Sequence, residues 1–199
     1  MSEIKLFNIW STEGIAVEDP GLKPYVNLDP VIVPRTLGRY ATRRFHKSKS
    51  NIVERLINKL MVPGHKGKKH LLTSRRTTGK GVKAYNTIIK TFETIEKETK
   101  VNPIKVFVKA LENAAPREDI TTIEYGGARY PQAVECAPQR RIDVALRQMV
   151  QGAFQKSFDD KKTFERALAD EIINAYNLSQ NSQAISKKLE LERQSDSSR

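Results

Sequence analysis

This chain of 199 residues has one cysteine, Cys136. It therefore closes no internal disulfide, which is compatible with a reducing interior. It has no apolar run near the ~18 to 20 residues of a bilayer span and no basic-then-apolar leader, so the cytoplasm is the default location and no membrane partner is expected. Hydrophobic residues make up 38% and mean hydropathy is −0.55, enough for one modest core. The marks of catalysis are missing too. Thr77-Thr78-Gly79-Lys80-Gly81 has the composition of a phosphate loop, but not its spacing, and no strand precedes it. His65 and His70 stand five apart in a lysine-rich stretch with no cysteine or carboxylate nearby, which speaks against a metal site. Cys136 has no histidine near it in sequence and reads as a small buried hydrophobe. Asp159 and Asp160 read as helix caps, and Asp170 with Glu171 as a solvated helix side. No catalytic residue, metal, cofactor or small-molecule substrate is expected.

The most informative scarcity is of negative charge in one region. Residues 35–83 hold fifteen Lys or Arg and one acid, Glu54, a local charge of +14 in a chain whose total is +12. The rest sums to about −2, so the excess is concentrated and not a solubilising coat. Such a segment repels itself unless a polyanion meets it, and a phosphate backbone does so with release of counterions. An anionic membrane would call for an amphipathic helix with Trp or Phe on its apolar side, which the block lacks. Nucleic acid is the better fit.

Along the chain, residues 1–34 carry five acids, two lysines and four prolines without sustained periodicity, and read as an irregular arm. The basic block opens with Arg35, Arg39, Arg43, Arg44, Lys47 and Lys49. Tyr40 and Phe45 are interleaved among them; such rings either stack on bases or anchor the segment on the protein's own core, the usual fate of aromatics. Ser50 or Asn51 caps a helix on Ile52, Val53, Leu56, Ile57 and Leu60 that stops at Pro63-Gly64. A long loop over 64–80 bears Lys66, Lys68, Lys69, Arg75, Arg76 and Lys80. A second helix follows on Val82, Tyr85, Ile88, Ile89, Phe92 and Ile95, with Lys83 on its polar side. Asn102-Pro103 opens a third on Ile104, Phe107, Val108 and Leu111.

At 119–137 the period changes from helix to strand. Gly126-Gly127 joins two runs into a hairpin, and Pro131 excludes a central strand, so an isolated, projecting two-stranded ribbon is expected. Pro138 opens a fourth helix on Ile142, Leu146, Met149 and Ala153. Arg140 and Arg141 in its first turn oppose the helix dipole, a conflict that an external anion would remove. A fifth helix runs on Phe164, Leu168, Ile172 and Ala175. Residues 179–199 have only Ile185 and Leu189 to attach a short helix before a fraying tail. The expected fold is mainly α, a bundle of five to six helices with a protruding hairpin. The divisions are an arm over 1–34, one helical RNA-binding domain over 35–178, and a short helix and tail over 179–199.

Many short motifs then occur in an ordered series. They are Gly38-Arg39-Tyr40, Arg43-Arg44-Phe45, Ile52-Val53-Glu54-Arg55-Leu56, Asn102-Pro103-Ile104, Glu112-Asn113, Pro116-Arg117-Glu118-Asp119, Gly126-Gly127 through Val134, Pro138 to Arg140-Arg141, Leu168-Ala169-Asp170-Glu171-Ile172, and Lys187-Lys188 to Glu192-Arg193. Over about 35–199 this series resembles the family of ribosomal protein seven of the small subunit, in its archaeal or eukaryotic branch. The resemblance implies a protein that binds the 3′ major domain of the small-subunit ribosomal RNA and nucleates head assembly on the ribosome in the cytoplasm. Its implied neighbours are head and platform proteins, and exit-site tRNA and mRNA. Arg39, Arg43, Arg44, Lys47, Arg140 and Arg141 match the family's basic positions. Charge alone adds Arg35, Lys49, Lys66, Lys68, Lys69, Arg75, Arg76, Lys80 and Lys83, since the 64–80 loop is much shorter in the bacterial pattern. The ribbon residues Tyr125, Gly126, Gly127, Arg129 and Tyr130, with Lys187, Lys188 and Arg193, are expected toward the tRNA and mRNA path. A helical DNA-binding regulator, another RNA-binding accessory protein or an RNA-modifying enzyme are the competing classes; the last would need a cofactor loop or metal constellation.

Overall fold

The computed structural model describes residues 4–65, 73–74, 77–158 and 160–199. Its helices begin where the sequence supplies a cap or a proline. The Asn51 side chain accepts from the Val53 N–H (2.9 Å) to open α1 (Ile52–Leu60). α2 spans Gly81–Thr99. Asn102 accepts from the Ile104 N–H (3.0 Å), with Pro103 at the first position, to open α3 (Pro103–Ala114). α4 (Pro138–Ser157) starts on its proline, while Thr163 caps α5 (Phe164–Tyr176) and Ser182 caps α6 (Gln183–Asp196). α5 is the central element, packed by α2, α3, α4 and α6. Its buried face, Ala167, Leu168, Ala169, Ile172 and Ala175, is rich in alanine, so neighbouring helices approach closely. Phe92, Phe107, Ile104, Leu111, Ile142 and Leu146 fill the surrounding core. No helix among the described residues is long and apolar enough to cross a membrane.

The ribbon is two-stranded as expected: β1 (Glu118–Tyr125) pairs antiparallel with β2 (Ala128–Glu135), Tyr125 opposite Ala128. Gly126 and Gly127 make the two-residue turn at φ 59° and 81°, a pair of positive values that side-chain-bearing residues rarely adopt together. Pairing places Ile123, Tyr125, Tyr130 and Val134 on one face, and all four are exposed. The ribbon's base rests on α6.

Several expectations change. Thr163, not Asp160, caps α5; Asp160 lies four residues before Phe164, too far to reach the first-turn N–H groups, and bonds the Lys161 N–H. Asp159 lies outside the described residues. Glu171 is not on a solvated side but fully buried. Its carboxylate accepts from the Ser182 hydroxyl (2.8 Å), the Ala184 N–H (3.2 Å) and Lys156 Nζ (2.9 Å). α6 is consequently a 14-residue helix and not a short one with a frayed end. Leu189 is exposed; the helix is attached by Ala184, Ile185 and polar bonds, which an apolar period does not reveal. Val82 is exposed, so the α2 stripe starts at Ala84. Phe45 is 58% exposed at φ 65°, with Arg44 against its ring (5.4 Å), so it does not anchor the segment, whereas Tyr40 is half-buried.

The N-terminal segment is irregular, but it is also core. Phe7 and Trp10 pack edge-on against Phe92, and Leu6, Leu22 and Val26 are buried. Trp10 Nε1 donates to Glu96 (2.9 Å), and the Glu18 and Asp19 N–H groups donate to Glu112 (2.6 and 3.3 Å).

Candidate nucleic-acid interface

The cationic segment is mounted on α1 through polar contacts. The Asn27 side chain donates to the Lys49 carbonyl (2.7 Å), the Ile52 N–H to the Asn27 carbonyl (3.0 Å), and Thr36 bonds Glu54 through both its N–H and its hydroxyl (2.8 and 2.7 Å). Between these ties the backbone turns through short 3-10 stretches at Arg39–Ala41 and His46–Lys49. Arg35, Arg39, Arg43, Arg44 and Lys49 are left exposed along it, and Lys80 and Lys83 are exposed at the start of α2. These seven form no ion pair with the described residues. Lys66, Lys68, Lys69, Arg75 and Arg76 lie outside the described residues.

The block's other described cations, Lys47, Arg55 and Lys59, stand beside α4. Arg55 is buried, donating to Asp143 (3.2 Å) and to the Tyr25 carbonyl (3.1 Å), and Lys47 bonds the same carboxylate. Burial would raise the Asp143 carboxyl, but the Lys47 bond and the charges of Arg55 and Lys47 outweigh it and hold the group below its ordinary value. Burial pushes Lys59 down, opposed by Asp143 and assisted by Arg147, Lys47 and Arg55. Lys59, exposed Arg147 and Lys187 share a cleft of about 650 Å³ between α1, α4 and α6. An anion there would relieve the crowding. Lys59 and Arg147 were not among the expected contacts. The usable sign was spacing: Arg140, Asp143 and Arg147 at i, i+3 and i+7 share one face of α4.

The pair at the start of α4 separates. Arg140 is exposed and donates Nε to Asp119 (2.9 Å) at the ribbon base. Arg141 is 9% exposed; it donates to Asp19 (2.7 Å) and to the Pro116 carbonyl (3.1 Å). The anion that answers the dipole conflict is thus internal for both. At the C-terminal end, half-buried Lys188 donates to the Asn113 carbonyl (2.8 Å), Lys187 pairs with Glu190 (2.9 Å), and Arg193 is exposed. Tyr125 (81% exposed), Arg129 and Tyr130 occupy the ribbon tip. Cys136 is buried, and burial pushes its thiol up, which makes it a poorer nucleophile. The described residues contain no cluster of metal-ligating side chains.

Residues 23–199 match the family model described as ribosomal protein S7p/S5e, starting earlier than the motif series at 35. The chain is also 58% identical over 197 residues, 99% of its own length and 100% of the relative's, to the small ribosomal subunit protein uS7 of Nanoarchaeum equitans (strain Kin4-M).

Proposed function

Because the chain belongs to the ribosomal protein S7p/S5e family, we propose that it is a structural, non-enzymatic constituent of the small ribosomal subunit, in the cytoplasm, holding ribosomal RNA through segment 35–49 and the start of α2. One observation carries the RNA contact. Outside residues 35–83 acids outnumber cations, 22 to 20, and several cations there pair with carboxylates, as in Lys109 with Glu18, Lys156 with Glu171, Lys162 with Asp170 and Arg166 with Glu98, whereas residues 35–83 hold one acid, the buried Glu54. The seven exposed cations of the segment have no such partner. Phosphates supply the missing charge, and the rigid helical mount makes RNA shape the basis of selectivity.

The RNA in this reading is the 3′ major domain, whose distant helices the protein bridges as the head assembles. Lys66, Lys68, Lys69, Arg75 and Arg76 extend the contact on charge alone. Arg140 and Lys47 reach RNA from their exposed flanks, whereas Arg141 and Lys188 serve by locking the N-terminal segment and α6 to the body. The aromatic face of the ribbon, with Arg129 and Arg193, turns to exit-site tRNA, mRNA and neighbouring head and platform proteins.

The test is crosslinking in cells followed by RNA sequencing. Enrichment of the 3′ major domain is expected; uniform recovery of many RNAs, or equal binding of the purified protein to any acidic polymer, would remove the proposal. A symmetric dimer bound selectively to duplex DNA would favour the regulator reading.

A further inference from the structure

Beside the cationic segment lies a cleft that phosphate contacts leave unexplained. About 560 Å³ opens between residues 33–38, α1 and the first turn of α2, walled by Val33, Leu37, Ile57, Met61, Val82 and Tyr85. Pockets that hold small-molecule-sized groups run from ~300 to 1,000 Å³. Its rim is apolar yet in water: Leu37 is 80% exposed and Val82 66%. The backbone of this wall is itself unusual, with Leu37 at φ 53° and Gly38 at φ 78°, a costly conformation for leucine.

Arg35, Glu54 and Asn58 are the charged or amide side chains that line the cleft, and of these Glu54 alone is buried, at 4% exposed. Its Oε1 takes both Thr36 donors, while Oε2 is buried with no partner among the described residues. A buried acceptor left unpaired is costly, so a donor is expected from whatever fills the cleft. Arg35 stands on the same wall. The occupant therefore needs apolar faces, an N–H donor on one edge and negative charge beside it. A lysine or arginine side chain of another protein meets Glu54 but adds a cation to a segment already crowded with Arg35, Arg39, Arg43 and Arg44. A nucleotide meets all three demands.

Building on the RNA-binding reading, we propose that this cleft takes one unpaired amino-bearing base of the bound RNA, adenine, cytosine or guanine. The amino group donates to Glu54 Oε2, and the attached phosphate lies against Arg35. Leu37, free on its outer side, shifts to admit the ring. Uracil is disfavoured, because its one ring N–H lies between two carbonyl oxygens that would face the carboxylate.

The experiment uses the full chain bound to a transcript of small-subunit RNA, irradiated with ultraviolet light and digested, with the peptide–nucleotide adducts identified by mass. Adducts of A, C or G on peptides carrying Leu37 or Tyr85 are expected. Glu54→Gln keeps an oxygen for Thr36 but puts a donor where Oε2 was. It should abolish those adducts and weaken binding on the order of tenfold, with the slope of log affinity against log salt unchanged. If this variant unfolds in a thermal melt, the parent adduct map decides alone. Adducts elsewhere but none in the cleft, uridine in the cleft, or a peptide of another protein crosslinked there in purified small subunits each overturn the base pocket and leave the RNA-binding reading standing. A transcript that does not bind at low salt overturns both.

Discussion

Asp143 shows how a strongly basic chain uses its few acids. It takes Arg55 and Lys47 together, so two of the block's cations are spent on the fold. Because its folded value lies below that of the unfolded carboxyl, ~3.9, this bridge stabilises fully above that range, and the contribution is lost as pH falls through the folded value. Asp19 follows the same course: burial would raise it, but bonds from Arg141 and the Gly21 N–H prevail and lower it. Urea midpoints measured between pH 6 and pH 2 should therefore drop below about pH 4. Asp143→Asn should lower the midpoint at neutral pH and flatten part of that drop; an unchanged acid limb would refute the assignment. Glu171 is the sharper case. Glu171→Ala strands the Ser182 hydroxyl and the Ala184 N–H, and should cost about 3 kcal/mol in urea unfolding. A loss below ~0.5 kcal/mol would show that α6 docks without it.

Among the elements, the ribbon and α6 exchange the roles that periodicity suggests. The ribbon alternates strongly, but both of its faces are largely in water, since among the described residues no second sheet or helix covers the half beyond its base. Deleting residues 125–130 should leave the calorimetric transition and RNA affinity nearly intact while impairing exit-site function in translation assays. Loss of the cooperative transition would make the ribbon part of the core. α6 has weak apolar spacing, yet it is anchored at its start by Glu171 and along its length by Lys188 to Asn113 and by Glu192 to the Arg117 N–H. Polar attachments of this kind join residues 75 apart and leave no local period to read.

For the whole molecule, the consequence of unpaired charge on a rigid mount is a salt-dependent grip. Arg39→Ala with Arg43→Ala should weaken binding to small-subunit RNA and reduce the slope of log affinity against log salt by about 2. An unchanged slope would mean that neither touches phosphate. The capped starts of α1 and α3, the proline start of α4, the Gly126-Gly127 turn and the cationic block were legible in the chain itself, because caps, turns and charge density act over a few residues. The apolar positions at three and four residue steps likewise determined that helices would build the core. Which cations stay free was not legible: Arg141 and Arg55 look like Arg39 in sequence, and only the approach of Asp19, Pro116, Asp143 and Tyr25 buries them. The cleft at Glu54, the burial of Glu171 and the place of Leu6 and Trp10 in the core were decided by tertiary structure for the same reason. Burial and pairing depend on segments far apart in the chain, whereas propensity and net charge do not.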